Sequence, residues 1–277
     1  MAFLTSGDSR LYYEVSGEGP AIVFAHESAA DARQWREQVD ALSGHYRCIV
    51  YNARGYIPSD VPEDDAAYGY IAAWRDLAAV VEQVAGGAAH IVGLSMGAYA
   101  ALMLGLNRPD LVNSLFIAGC GTGSTRQPDS RMRNGMSALA QLFMDKGSEA
   151  GAASIAIPSN RTGFRRRDPA RWQAWYDDLV THSAEGMART FRNYQGCRPS
   201  LYEFEEGLRQ LDKPTMLVVG DEDSGCIEVN LDLKKILPDA GLWVVPYSGH
   251  AVNLEAPDAF NRVLADFVAN VVDRPKS

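Results

Sequence analysis

Ser95 lies in a sequence pattern that could make it a nucleophile. Residues 93–97 read Gly-Leu-Ser-Met-Gly, which matches the Gly-x-Ser-x-Gly pattern. In that pattern the serine occupies a very tight turn between a strand and a helix, and the flanking glycines prevent Cβ clashes with neighbouring backbone. An apolar stretch precedes the serine and an alanine-rich stretch follows it. The pattern predicts acyl-transfer chemistry at Ser95, with an ordinary strand–turn–helix connection as the alternative.

A nucleophilic serine needs a base, and the best placed of the five histidines is His250. It follows a predicted strand at 242–245. Loops at the carboxyl ends of parallel strands meet over one edge of a sheet, so a base for Ser95 is expected on such a loop. Gly249 would permit a close turn into the site. A structural or solvated histidine is the alternative.

Three acidic residues, Asp221, Glu222 and Asp223, directly follow a predicted strand at 215–219. They would therefore lie at the same edge of the sheet as the histidine. One carboxylate there would orient the imidazole and stabilise its charged form. The order serine, aspartate, histidine along the chain suits a serine nucleophile on a parallel sheet. We favour Asp223 for this role, with Asp221 as the second candidate.

Strand and helix signals alternate along the parts of the chain that hold these residues. Such alternation predicts an α/β fold in which a parallel sheet carries helices on both faces. Short apolar runs predict strands at 11–15, 21–25, 48–51, 89–94, 112–118, 215–219 and 242–245. Apolar residues at helical spacing predict helices at 35–42, 70–84, 98–106, 229–237 and 257–272.

The middle of the chain differs in composition and pattern. Residues 121–210 contain helical stretches and no convincing strand. They hold 12 Arg and 1 Lys against 10 acidic residues, which gives this segment a net charge of +3. The whole chain has a net charge of −9, so the remaining residues together carry −12. This shift predicts two domains: a core formed by 1–120 and 211–277, and a separate helical domain formed by 121–210.

Composition limits the partners of the protein. A net charge of −9 argues against nucleic acid, and no apolar run reaches the ~20 residues of a membrane span. The first residues lack the pattern of a signal peptide, so a cytoplasmic location is expected. The four cysteines form no C-x-x-C pair, which argues against a zinc site. We expect a monomer or homodimer acting on a small molecule.

Taken together, these motifs make the sequence resemble the α/β-hydrolase superfamily, in its cap-bearing branch of esterases, lactonases and carbon–carbon bond hydrolases. The family's Gly-Asp-x-Asp and Ser-Gly-His motifs fall on Asp223 and His250. The resemblance implies a mostly parallel eight-stranded sheet, a helical cap at 121–210, and chemistry without a metal or cofactor. A serine at position 95 excludes the family branches that use an aspartate nucleophile.

The same resemblance implies an oxyanion hole formed by two backbone N–H groups. One belongs to Met96, the residue after the nucleophile. The other belongs to the third residue of a His-Gly-x segment, which here reads His26-Glu27-Ser28, so Ser28 holds that position. Glu27 departs from the family glycine. Its carboxyl group is expected either near the site, where it would bind substrate, or turned away towards His26 or solvent.

Two tryptophans of the 121–210 domain are candidate substrate-binding residues. Trp172 and Trp175 stand three residues apart, so they share one face of a helix. That face either packs on the core or forms an aromatic wall of the pocket. An arginine run at 165–167 reads as solvated surface, although one member could meet a substrate carboxylate.

The predicted function is hydrolysis of a carboxylic ester or lactone through an acyl-enzyme. One alternative is a carbon–carbon bond hydrolase that acts on a β-diketone or vinylogous keto acid with the same residues. An alternative of another class is a receptor-like protein that binds its ligand and turns it over slowly.

Overall fold

A single mixed sheet of eight strands forms the centre of the molecule, in the order β1-β2-β4-β3-β5-β6-β7-β8. The computed structural model describes residues 1–127, 130–157 and 159–272. The strands are β1 Ala2–Ser6, β2 Ser9–Ser16, β3 Ala21–Ala25, β4 Arg47–Tyr51, β5 Ala89–Leu94, β6 Val112–Ala118, β7 Thr215–Gly220 and β8 Ala240–Val245. β1, β2 and β4 pair antiparallel, and every other pairing is parallel. The predicted fold class is confirmed.

Seven of the eight strands lie where the apolar runs predicted them, and β1 is the exception. It is an edge strand that pairs only with β2, and it is buried at Leu4 and Ser6 alone. Phe3 packs edge-to-face on Tyr12 with the ring centroids 5.8 Å apart. Such a short, half-exposed strand has no apolar run of its own, because only one of its faces is covered.

Helices cover both faces of the sheet and continue its apolar core. On one face Phe24 packs against Trp35 and Phe116 against Phe260, both with ring centroids 5.2 Å apart. On the other face lies a larger cluster that includes the wholly buried Leu77. The helices of this part are α1 Arg36–Leu42, α2 Tyr70–Val80, α3 Met96–Asn107, α9 Ser224–Ile236, α10 Val252–Glu255 and α11 Pro257–Val272.

Residues 121–210, here called the insert, connect β6 to β7. Their described part contains helices and turns and no strand: α4 Ser130–Ala156, α5 Ser159–Arg167, α6 Pro169–Val180, α7 Ala184–Arg189 and α8 Glu205–Arg209. α4 is broken at Gly147, whose φ of 79° is not helical. The division into core and cap domains stays a prediction, and residues 128–129, 158 and 273–277 of those domains lie outside the described residues.

Ion pairs join the insert to the loops and helices around the sheet. Arg33 reaches Asp178 at 2.6 Å, and Arg171 reaches Glu37 at 2.8 Å. Arg167 meets a carboxylate that follows β7, that of Glu222, at 2.8 Å. In two of these three pairs the insert supplies the arginine, and in the third it supplies the carboxylate of Asp178. None of the helices in the described ranges is long and apolar enough to cross a bilayer.

Candidate active site

Ser95 occupies a strained turn between β5 and α3. Its φ of 53° and ψ of −104° lie outside the regions that non-glycine residues favour. Two backbone hydrogen bonds hold it there: its N–H donates to Ala118 O at 2.8 Å, and its carbonyl accepts from Tyr99 N–H at 3.0 Å. Strain of this kind persists only where the surroundings enforce it, and it is concentrated at functional sites.

The glycines of the pentapeptide are required by close backbone contacts. A Cβ on Gly93 would lie 2.6 Å from Ala98 N, and a Cβ on Gly97 would lie 2.1 Å from Ala25 O. Both distances are far below van der Waals contact. The spacing of the motif therefore reflects the packing of β5, α3 and β3 around the turn.

His250 and Asp223 form a buried hydrogen-bonded pair. His250 Nδ1 lies 2.7 Å from Asp223 Oδ2, and the residues are 6% and 1% exposed. They come from the loops after β8 and β7, which pack closely because a Cβ on Gly220 would lie 2.2 Å from Ser248 O. The other favoured acid, Asp221, is exposed, and it accepts a hydrogen bond from Ser248 N–H at 3.1 Å. The structure therefore pairs the histidine with Asp223.

The electrostatics of the pair favour a charged imidazole. Burial by itself would lower the pKa of His250, but the charge and hydrogen bond of Asp223 outweigh it and hold the pKa well above its ordinary value. A proton on Nδ1 shared with Asp223 leaves Nε2 as the basic nitrogen. Among the described residues no hydrogen bond joins Ser95 to His250, so their contact in the working enzyme stays a prediction.

Cys226 lies beside this pair. One possible ligand atom from each of Asp223, Cys226 and His250 falls within 4.8 Å of the others. Two of these three residues already share a hydrogen bond, and Cys226 Sγ contacts Gly119 O at 3.4 Å. The arrangement thus fits a base held by its acid. The prediction of chemistry without a metal or cofactor remains untested.

The two residues of the predicted oxyanion hole are held by tyrosines. Tyr56 OH donates to Ser28 O at 2.9 Å, and Tyr194 OH donates to Met96 O at 3.0 Å. Within the described part of the chain, no hydrogen bond uses the N–H of Ser28 or of Met96. Met96 opens α3, whose N-terminal end favours negative charge. Both N–H groups are thus free to donate to a substrate oxygen, although their role stays a prediction.

Glu27 directs its carboxylate towards His250. Its Oε2 lies 3.9 Å from His250 Nε2, and its side chain is 2% exposed. His26 does not bind that carboxylate, since its Nδ1 lies 2.7 Å from the Glu27 backbone oxygen and its Nε2 accepts from Ala53 N–H at 3.0 Å. Of the two orientations considered for Glu27, the structure shows the one near the site.

Arg161 of α5 is the residue near the site that sequence reasoning missed. Its Nη1 donates to Glu27 Oε1 at 3.0 Å, and its Nη2 donates to Oε2. Its guanidinium lies 4.8 Å from the ring centroid of Trp175, and its side chain is 5% exposed. Burial would lower the pKa of Arg161, but the Glu27 carboxylate raises it, so the arginine stays charged. No motif marks a single arginine inside a helical segment, so its sequence gave no signal.

The two predicted aromatic residues form a buried platform under arginines. Trp175 donates its indole N–H to Ala29 O at 3.0 Å and faces Arg161. Trp172 stacks on Tyr176 with centroids 5.3 Å apart, and Arg165 lies 4.7 Å above its ring. Trp175 therefore reaches the site through Arg161, and whether either ring touches substrate stays a prediction. The run at 165–167 is exposed, as predicted.

Comparisons with known proteins agree with this architecture. A model of the alpha/beta hydrolase family matches residues 22–263. The 2-hydroxy-6-oxononadienedioate/2-hydroxy-6-oxononatrienedioate hydrolase of Burkholderia vietnamiensis (strain G4 / LMG 22486) is 26% identical over 279 residues, which cover 94% of this chain and 91% of the relative.

Two solved structures resemble the whole chain. The enol-lactonase from Burkholderia xenovorans LB400 gives a TM-score of 0.85 at 21% identity, covering 97% of this chain and 100% of that one. A thermophilic esterase from Thermogutta terrifontis, with malate bound, gives 0.86 at 22% identity, covering 98% of both chains. These likenesses confirm the predicted fold.

Proposed function

Because this chain belongs to the alpha/beta hydrolase family, we propose that it is a serine hydrolase that cleaves a carboxylic ester or lactone of a small molecule. The observation that carries the proposal is the buried hydrogen bond of 2.7 Å between His250 and Asp223. A Cβ on Gly119 would lie 3.4 Å from the His250 ring, and the preceding residue, Ala118, accepts the hydrogen bond from Ser95 N–H. A serine, a histidine and an aspartate in this chain order are the working parts of acyl transfer on such a sheet.

The reaction proceeds in two halves. His250 Nε2 takes the proton from Ser95 Oγ as that oxygen attacks the carbonyl carbon, and the N–H groups of Ser28 and Met96 hold the resulting oxyanion. The intermediate collapses to an acyl-enzyme, and the departing alcohol oxygen receives the proton from His250. Water then attacks the acyl group and gives a proton to His250. The second intermediate collapses to the acid, and Ser95 Oγ takes that proton back from His250 as it departs. Asp223 orients the imidazole and stabilises its charged form throughout.

Two relatives support the ester and lactone chemistry, since they are named an esterase and an enol-lactonase. The relative named for a dioate supports the second candidate, a carbon–carbon bond hydrolase with the same residues. A ligand-binding protein with slow turnover is the third candidate. Initial rates on p-nitrophenyl esters, lactones and dicarbonyl acids will separate the first two, because only one bond type should be cleaved rapidly.

The serine itself is tested by substitution and by labelling. Ser95→Ala should lower turnover of the preferred ester by about a thousandfold or more, as deletions of a catalytic triad member do. A fluorophosphonate should label the parent protein at Ser95, as read by peptide mass spectrometry. The matched control is Ser43→Ala at the C-terminal end of α1, outside the proposed site, and this variant should react normally. Retained turnover in Ser95→Ala would refute the proposal, and rapid labelling without turnover would favour the slow binding protein.

A further inference from the structure

A buried ion pair lies over the proposed catalytic base. Glu27 comes from the loop after β3 and Arg161 from α5 of the insert. Arg161 Nη1 donates to Glu27 Oε1, and Nη2 donates to Oε2. The two side chains are 2% and 5% exposed. Glu27 Oε2 lies 3.9 Å from His250 Nε2, the nitrogen that must face the reacting carbonyl. The pair therefore lies directly beside the nitrogen of the proposed base.

Arg161 binds Glu27 through the N–H groups of its two Nη atoms, an arrangement well suited to a carboxylate. A planar guanidinium binds a carboxylate through two parallel hydrogen bonds, and stacking on an aromatic ring fixes its plane. Trp175 supplies that ring at 4.8 Å, and it is itself held by a hydrogen bond to Ala29 O. Arg161 is thus held rigidly in a form that binds a carboxylate, and the carboxylate that it binds is that of Glu27.

The charges near this pair are negative on balance. Asp223 binds His250, and Glu255 lies nearby with its side chain 1% exposed, accepting from Gly249 N–H at 2.9 Å. Arg167 contacts Glu255 at 2.9 Å but is also shared with another carboxylate. Arg161 and Arg167, the two arginines that contact these carboxylates, are both engaged in ion pairs, so an anionic group entering beside His250 would meet Glu27 with its cation already bound.

We propose that Glu27 is a specificity-determining residue that restricts the site to uncharged esters or lactones. It does so by occupying Arg161, which would otherwise receive a substrate carboxylate. The inference rests on the proposed function, which it refines to a class of substrate. Like charges about 4 Å apart in a partly dry site should disfavour an acid-bearing substrate by about tenfold to several hundredfold.

The test compares two esters that differ in one charge: p-nitrophenyl methyl adipate, which is neutral, and mono-p-nitrophenyl adipate, which ends in a carboxylate. The ratio of their kcat/KM values is first corrected for their rates of hydrolysis by hydroxide. The parent enzyme should favour the neutral ester by about tenfold or more. Glu27→Gln frees Arg161 and should shift the ratio towards the acid by about tenfold or more, through a lower KM for the acid.

Two further variants separate charge from shape. Glu27→Gln combined with Arg161→Met removes both the repelling carboxylate and the receiving guanidinium, so its acid preference should lie between those of the parent and Glu27→Gln. Glu222→Gln removes a carboxylate that pairs with Arg167 instead, and it should leave the ratio within about twofold of the parent. An unchanged ratio in folded Glu27→Gln, or a parent enzyme that prefers the acid, would overturn the inference. If Glu27→Gln fails to fold, the double variant should still show a smaller preference for the neutral ester than the parent.

A binding measurement keeps this inference apart from the function on which it rests. In a Ser95→Ala background neither ester is turned over, and calorimetry gives the Kd of each. If the parent protein cleaves no ester, the proposed function fails. The charge preference and its shift by Glu27→Gln would still appear in Kd if the inference is correct. Equal Kd values for the two esters in both backgrounds would refute the inference, whatever the outcome for turnover.

Discussion

The sheet and the insert of this protein differ in how far ion pairs contribute to the contacts that hold them in place. The sheet is held by apolar packing, with aromatic rings such as those of Phe116 and Phe260 wholly buried between strands and helices. Apolar residues of the insert, such as Phe143 stacked on Phe191, belong to the same buried cluster as Leu77 of the core, and the insert also meets the core through ion pairs. Apolar packing does not titrate and is not screened by ionic strength, whereas exposed ion pairs respond to both pH and salt. The proposed nucleophile, base and acid lie in the core, which apolar packing holds in place. Arg161 lies in the insert, which also depends on salt-sensitive ion pairs.

Substitution of Asp223 should give the largest effect, because this residue lies in the core and binds the proposed base. Asp223→Asn keeps the shape of the side chain but removes the charge that stabilises the imidazolium, so kcat should fall by about a thousandfold to ten-thousandfold. Asp221→Asn, on the same loop but exposed, should change kcat by less than about twofold. Steady-state rates on the preferred ester measure both. Equal losses in the two variants would show that the pairing of His250 with Asp223 does not decide catalysis.

Truncation of a buried ring in the sheet should give the next largest effect. Phe116→Ala removes a side chain that packs between strand and helix, and it should lower the free energy of unfolding by about 3–5 kcal/mol. Urea denaturation followed by far-UV circular dichroism measures this. Phe143→Ala in the insert should destabilise that segment, as read by its proteolysis, with less effect on the main unfolding transition. Equal shifts of that transition would mean that the sheet and the insert unfold as one unit.

The pH dependence of activity should test how the core and the insert interact at His250, where Glu27 of the core binds Arg161 of the insert. His250 must be neutral to accept a proton, so activity is lost as the pH falls below the pKa of His250. Because that pKa is raised, this acidic limb of the pH–activity profile should lie at a higher pH than for an ordinary histidine. Asp223, Cys226, Glu27 and, through Glu27, Arg161 are the charged or titratable groups that face it.

Substitutions in the ion pair should move that limb in opposite directions. Glu27→Gln removes a negative charge near Nε2 and leaves Arg161, so the limb should move to lower pH. Arg161→Met leaves Glu27 charged, so the limb should move to higher pH. Profiles of log kcat/KM against pH for the neutral ester measure both shifts. Shifts in the same direction would contradict this account of the charges.

Loss of one peripheral ion pair should give the smallest effect. Asp178→Asn removes the partner of Arg33 and Arg36 but no buried apolar contact, so the free energy of unfolding should change by less than about 1 kcal/mol. Limited proteolysis of the insert should become faster in this variant, and also in the parent at high salt. Asp177→Asn, a neighbour on the same helix, is the matched control. An insert that resists protease equally in all three would show that these pairs do not hold it.

Much of the site could be predicted from the sequence because its parts are tied to local patterns. Gly93 and Gly97 mark the turn of Ser95, since only glycine fits the backbone contacts there. Asp223 and His250 follow buried strands, and the geometry of a parallel sheet places such loops at one edge. Apolar runs located seven strands, while β1 gave no comparable signal because one of its faces is exposed.

The sequence by itself therefore determined the fold, the candidate nucleophile with its base and acid, and the charge contrast between the core and the insert. These follow from periodicity, motif spacing and composition, which are local properties of the chain. Only the tertiary structure decided that Glu27 turns towards His250 and that Arg161, 134 positions away, binds it. The physical reason is that an ion pair between distant elements depends on how the insert lies on the sheet, and no local pattern records that placement.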